Sequence, residues 1–254
     1  MNFENLKDFL DEKVEIYNRP QFVESDPIQV VKQFSGKEDI EISGFLTATI
    51  SWGNRPAIIK NALRAMELLE QSPYDFITYA SESELDHLRK FVHRTFNGDD
   101  LVYFVRSLQN IYRKHGGLQN LFESGFEQTN SVFGALENFH RIFFELTGER
   151  TKKHVSNVAK GASAKRLNMF LRWMCRQDQV GVDFGLWKRI PPSALMLPLD
   201  LHTGNVGRKL GLLQRKSNDW KAVEEITTAL RNFDSLDPIK YDFAIFGLGV
   251  FEKF

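Results

Sequence analysis

The chain has a single cysteine, Cys175, in 254 residues. An internal disulfide, an all-cysteine iron–sulfur cluster and an all-cysteine zinc site within one chain are thereby excluded. No apolar run is long enough to span a bilayer, so no membrane association is expected. The opening residues, Met-Asn-Phe-Glu-Asn-Leu-Lys-Asp, are amphipathic and acidic and do not read as a signal peptide, which makes a reducing, cytoplasmic setting the expectation. Net charge is missing as well, since 33 Lys and Arg balance 33 Asp and Glu. A neutral sum disfavours a nonspecific nucleic-acid coat but leaves room for a focused basic groove, because the field is set locally. No cofactor and no metal are expected.

Strand alternation is nearly absent, and helix signals take its place. Asp26-Pro27, Ser72-Pro73 and Asp237-Pro238 each pair a good N-cap with proline at the first helical position. Apolar residues at helical spacing predict helices over Ile40–Ile50, Pro56–Leu69, Ser83–Arg94, Asp99–Arg113 and Ser131–Leu146. Gly116-Gly117 stops the fourth of these and Gly148 ends the fifth. Further helices are predicted over Ser163–Arg176, from Asp200 onward, over Asp219–Phe233 and over Pro238–Gly247. About ten helices joined by short polar turns define an all-α class. The one long irregular stretch is Gln177–Leu199, where Pro191-Pro192 and Pro198 force extended backbone. A hydrophobic content of 42% supports a substantial core, as one large domain or two closely packed lobes. Most of the 22 Phe belong to that core, although aromatic rings also stack on bases.

One further absence is local. From Arg150 to Arg176 the chain carries eight Lys or Arg and no Asp or Glu. Within it, Ala164, Leu167, Phe170, Leu171 and Met174 form a helical apolar stripe. Lys165, Arg172 and Arg176 are seven and eleven residues apart, so at about 100° per residue they share another face. Gly161 suits the left-handed backbone of a tight hairpin, and Ser163 is placed to cap the helix. Free N–H groups at such a start suit a phosphate, with Lys160, Lys165 and Arg166 adding charge. A solvated basic face is the plainer alternative, but solvated helices normally mix signs.

Asp200 is a natural N-cap, approached through Met196-Leu197-Pro198-Leu199. Apolar, rigid backbone on that side predicts a partly desolvated carboxylate. Gly204 and Gly207 leave room on the first turns for another backbone to approach, and His202 is either an acid–base group or a capping histidine.

The segments Gly161-Ala-Ser-Ala-Lys165-Arg-Leu-Asn-Met-Phe-Leu-Arg and Leu197-Pro-Leu-Asp200-Leu-His-Thr-Gly-Asn-Val resemble the helix-hairpin-helix DNA glycosylase superfamily. In that superfamily the hairpin motif ends in a catalytic lysine, and an apolar-Val-Asp-Thr-His-like segment supplies a catalytic aspartate. The long insert between the two is more similar to the archaeal 8-oxoguanine glycosylase branch than to endonuclease III. Over most of its length the chain also resembles an uncharacterised, DUF2400-like bacterial family, whose members carry Lys-Arg-Leu-Asn-Met-Phe-Leu-Arg-Trp-Met and Pro-Leu-Asp-x-His-Thr-Gly. The glycosylase likeness is specific over about fifty residues. Two departures stand out. The hairpin Ala159-Lys-Gly-Ala-Ser has one glycine and no proline where Leu-Pro-Gly-Val-Gly is usual, and the four-cysteine cluster loop of endonuclease III is missing.

The resemblance implies a single all-α unit over residues 1–254, with lobes at 35–150 and at 1–34 plus 151–254 and a cleft between them. Lys165 would be the nucleophile and Asp200 the charge stabiliser in excising a damaged base from duplex DNA, with β-lyase strand cleavage through a lysine Schiff base. Lys160, Gly161, Ser163, Arg166, Arg172 and Arg176 would hold backbone phosphates. Trp52 or Asn54, after the apolar helix that starts near Glu41, would fill the gap left by the flipped base. Trp52, Trp173 and Phe170 are candidate stacking partners for it, and His202 is a further pocket candidate. Two alternatives stay open: a non-catalytic helix-hairpin-helix DNA-binding protein, and an all-α protein-interaction scaffold.

Overall fold

The computed structural model describes residues 3–148 and 152–254. They form α1 (Phe3–Tyr17), α2 (Pro20–Ser25), α3 (Ile28–Val31), α4 (Lys37–Thr49), α5 (Arg55–Leu68), α6 (Pro73–Tyr79) and α7 (Glu82–His87). A two-stranded ladder follows, β1 (Val92–His93) against β2 (Phe96–Asn97). Then come α8 (Gly98–Lys114), α9 (Gly117–Thr129), α10 (Val132–Phe143), α11 (Lys165–Cys175), α12 (Leu201–Lys209), α13 (Trp220–Phe233) and α14 (Tyr241–Val250). The protein is all-α apart from that short ladder, which interrupts the helix expected over Ser83–Arg94. No helix among the described residues is long and apolar enough to cross a membrane.

Two compact units divide the chain. One is Ser25–Ser156, and the other joins Met1–Glu24 to Asn157–Phe254. In the first, α4 is buried on every side from Ile40 to Thr49, which a helix tolerates only at the centre of a core. Phe45 packs there against Phe104, Phe139 and Phe143, with ring centroids 5.8, 5.3 and 5.5 Å away. Many of the phenylalanines are thus core. Glu41 of the same helix is buried, and the Tyr112 hydroxyl donates to its Oε2 at 2.8 Å. Where α9 crosses α10, a Cβ on Gly125 would lie 3.0 Å from Ala135 Cα, so only glycine permits that approach.

In the second unit the central helix is α11, buried from Leu167 to Cys175. Helix α14 packs against α1 and α12, and Gly247 leaves space for the Tyr17 ring. The irregular run from Gln177 to Leu199 is held by specific bonds, which answers where its backbone polar groups go. Phe184 N donates to Trp173 O at 2.8 Å and Trp187 N to Met174 O at 2.9 Å. Farther on, Arg231 donates to the carbonyls of Ser193, Ala194 and Leu195, and Leu197 N donates to Thr227 Oγ1 at 3.1 Å. These ties fix the approach to Asp200.

Candidate lysine–aspartate site

The hairpin ahead of α11 begins with a single 3-10 turn, Val158–Lys160, rather than a full helix. Asn157 Oδ1 accepts from Lys160 N, and Gly161 then takes φ +82°, the left-handed region expected of it. Trp220 N donates to Gly161 O at 2.9 Å, so the hairpin is pinned to the start of α13. Ser163 does not cap α11. Its carbonyl accepts from Asn168 Nδ2 at 3.1 Å, and the cap position falls to Ala164, left-handed at φ 51° and offering no side-chain bond. A helix start without a side-chain cap leaves backbone donors for a ligand or water.

Lys165 is the first residue of α11 and is half-buried; its Nζ donates to Met169 Sδ at 3.5 Å. No carboxylate bonds to it among the described residues. Arg166 is half-buried too, and burial pushes its guanidinium down to about 10. Lys160 and Gly161 are exposed, as a phosphate contact requires.

Arg172 and Arg176 correct the expectation of a basic face. Both are buried, at 4% and 2% exposure, inside a network of aspartates that the acid-free span concealed. Arg172 Nε donates to Asp183 Oδ1 at 3.2 Å and its Nη1 to Asp242 Oδ2, while its guanidinium lies 4.5 Å from the Phe243 ring centroid. Arg176 reaches Asp183 at 3.0 Å, Asp178 at 2.8 Å and Asp237 at 2.9 Å. Burial works against the Arg176 charge, yet those carboxylates hold it above its ordinary value. Neither guanidinium is available to a phosphate. Phe170 and Trp173 are likewise fully buried and cannot stack on a base without unpacking α11.

Asp200 caps α12 as expected. Its Oδ1 accepts from His202 N at 2.8 Å and Thr203 N at 3.0 Å, and Asp200 N in turn donates to Thr203 Oγ1 at 2.8 Å. The Oδ2 atom takes no such bond from the described residues. Met196, Leu197 and Leu199 are buried beside it, so the apolar approach is real, and Asp200 itself is half-buried. The small residues serve side chains rather than another backbone: a Cβ on Gly204 would meet Asn218 Oδ1 at 2.6 Å, and one on Gly207 would meet Ile226 Cδ1 at 2.6 Å. His202 is exposed and contributes its backbone N–H to the cap.

Asp242, at the second position of α14, is the residue that sequence reading missed. The residue is 5% exposed, and the charges of both Lys165 and Asp200 bear on its carboxyl. Burial pushes it above its ordinary range, Arg172 and Lys165 pull against that, and Asp200 adds to the push. An acid next to the apolar run Phe243-Ala-Ile-Phe was the available signal, since a carboxylate is not buried there without a cation.

Trp52 and Asn54 belong to the other unit. Trp52 is half-buried, edge-on to His93 at 4.9 Å and stacked on His154 at 5.8 Å, and His93 Nε2 bonds its carbonyl at 3.2 Å. Asn54 is exposed and caps α5, its Oδ1 accepting from Ala57 N at 2.9 Å.

The class so defined is an all-α protein of two helical units, one of them carrying Lys165 and Asp200 at the starts of two helices. The chain belongs to the family described as Protein of unknown function (DUF2400), whose model matches residues 26–251. No curated protein and no solved structure matches it.

Proposed function

We propose that the protein is a DNA-repair glycosylase with β-lyase activity, built on a helix-hairpin-helix glycosylase-like plan. The observation that supports this reading is the placement of Lys165 at the start of α11 and Asp200 at the cap of α12. A lysine amine without a carboxylate hydrogen bond is a fit nucleophile once it is neutral. It would attack C1′ of the damaged nucleotide, and the glycosidic bond would break with its electron pair leaving on the base. Asp200, as a carboxylate, would stabilise the positive charge that develops on the sugar. After the sugar ring opens, the amine nitrogen carries a Schiff base. Loss of a C2′ proton then expels the 3′ phosphate, which is strand cleavage. The partner is double-stranded DNA holding a damaged or abasic site, and no cofactor enters. Lys160 and Gly161, exposed on the hairpin, would meet the backbone phosphates.

Borohydride trapping on duplexes with oxidised, alkylated, deaminated or abasic sites tests the proposal. Wild type is expected to give a covalent adduct and Lys165→Gln none. Absence of an adduct across the whole panel removes the lyase reading. Binding without any adduct, weakened only modestly in Lys165→Gln, would instead indicate a non-catalytic DNA-binding protein.

A further inference from the structure

The end of α8, one side of α9 and the last turns of α10 frame a cleft of about 450 Å³. That volume falls within the range of small-ligand sites, about 300–1,000 Å³. The cleft lies wholly inside the Ser25–Ser156 unit and uses none of the residues assigned to base excision. Two buried apolar residues, Leu121 and Ile142, contribute its floor. The walls are polar, with Lys114 and His115 from the end of α8, Asn120 and Ser124 from α9, and Asn138 and Arg141 from α10. Among the described residues, no Asp or Glu lines it.

Hydrogen bonds fix these walls and leave cationic donors over. Arg141 Nη2 donates to Asn138 Oδ1 at 2.8 Å, and Asn138 Nδ2 donates to Leu121 O at 2.9 Å, so one amide tethers the guanidinium to α9. Asn120 Nδ2 donates to His115 O at 2.9 Å, which joins the first turn of α9 to the end of α8. Glu145 is bonded by His115 Nε2 at 2.8 Å and by Asn110 Nδ2, and it stays outside the lining. Lys114 makes no ion pair among the described residues, and Arg141 keeps most of its guanidinium donors after its bond to Asn138. Both lie in the last turn of a helix, where the carbonyl end favours a cation.

We propose that this cleft is a binding site for a small phosphorylated ligand, held by Lys114 and Arg141. A phosphate dianion takes charge-assisted hydrogen bonds from the ammonium and the guanidinium at once. The two cations come from separate helices and not from a single planar fork, which suits the several oxygens of a tetrahedral anion better than the two of a carboxylate. Leu121 and Ile142 give the carbon skeleton of the ligand a surface to lie against. A concave cleft of this volume takes one compact ligand, whereas a duplex presents its phosphates along a line. The source is therefore a free small molecule and not a nucleic-acid backbone.

Calorimetric titration of the full chain with inorganic pyrophosphate, at low salt and without DNA, tests this. Wild type is expected to bind one equivalent. Lys114→Gln and Arg141→Gln, both at exposed positions, are each expected to weaken binding by about tenfold, the share of one hydrogen bond to a charged group. Gln128→Glu, which adds a carboxylate to the lining without changing its shape, is expected to weaken it as well. Lys160→Gln on the hairpin is expected to leave it unchanged. No binding at millimolar pyrophosphate overturns the proposal, and so does binding indifferent to both Lys114→Gln and Arg141→Gln. Binding that Lys160→Gln abolishes belongs to the hairpin and overturns it too. Tighter binding of citrate than of pyrophosphate overturns the assignment to phosphate. If the Lys114 and Arg141 variants weaken binding of duplex DNA while pyrophosphate does not bind, the cleft serves a nucleic-acid backbone and the proposal falls.

Discussion

The guanidinium of Arg172 touches two carboxylates and an aromatic ring, none of them within six residues in sequence. That separation explains why the acid-free run from Arg150 to Arg176 suggested a basic face. Charge counted along the chain misses acids delivered by the fold, and here they arrive from Asp178, Asp183, Asp237 and Asp242. The apolar stripe of the same helix was legible, because Leu167, Phe170, Leu171 and Met174 needed only their periodicity. Arg172 therefore belongs to stability, not to phosphate binding. Arg172→Met removes one cation from Asp183 and Asp242 and leaves their charges buried, so urea unfolding should show a loss of about 3–5 kcal/mol. A loss below about 1 kcal/mol would mean that water already screens these pairs.

Among the elements, caps were the most readable signals and also the most easily diverted. Ser81 with Glu84 and Asn97 with Asp100 form reciprocal capping boxes, and Asp219 and Ser131 cap where expected. Asp237 has the same local pattern, yet Arg176 draws its carboxylate away from the helix that Pro238 begins. Ser72 makes no cap bond, and Asp39 instead accepts from Tyr74 N. Helix α9 went unread because Gly116-Gly117 resembles a stop; both glycines are left-handed and α9 begins on the second.

Asp200 allows capping to be separated from charge. Asn at this position keeps an acceptor for His202 N and Thr203 N, so Asp200→Asn should fold with stability within about 0.5 kcal/mol of wild type, whereas Asp200→Ala should lose about 1 kcal/mol. Both should depress adduct formation alike if the negative charge acts in the reaction. Equal trapping by wild type and Asp200→Asn would leave Asp200 a cap and nothing more.

The α1–α14 contact makes a second element-scale case. The Tyr17 hydroxyl donates to Glu252 Oε1 at 2.5 Å, and burial together with that carboxylate raises the phenol to about 12 from an ordinary 10.0. A group whose folded value is raised stabilises fully below its unfolded value and loses that contribution as pH climbs through the folded one. Unfolding free energy should thus fall between pH 10 and about 12, and Tyr17→Phe should flatten part of that limb in pH-dependent denaturation.

At the scale of the whole molecule, each unit is organised around one helix buried on all sides, α4 in Ser25–Ser156 and α11 in the other. The all-α class was legible because helical periodicity and short turns are local properties. Assigning α4 and α11 to core centres was not, since a short apolar helix reads alike at a core's centre or its edge. The same limit governs any interaction with DNA. With Arg172 and Arg176 turned inward and Lys165 proposed as the nucleophile, the cations proposed to meet DNA phosphate are Lys160 on the hairpin and Arg166 in the first turn of α11. Each phosphate neutralised contributes about −0.9 to the slope of log Kobs against log salt, so two contacts predict a slope of about −1.8, where the full basic face would give about −3.6. Lys160→Gln should reduce its magnitude by about one and weaken binding evenly across sequences, whereas Arg172→Lys should leave the slope unchanged in the folded protein. Fluorescence anisotropy titrations of a labelled duplex at several salt concentrations measure this directly. A slope near −3.6 that Lys160→Gln does not alter would place the phosphate grip on cations outside the hairpin, because a buried, ion-paired guanidinium neutralises no phosphate and so releases no counterion condensed on the DNA.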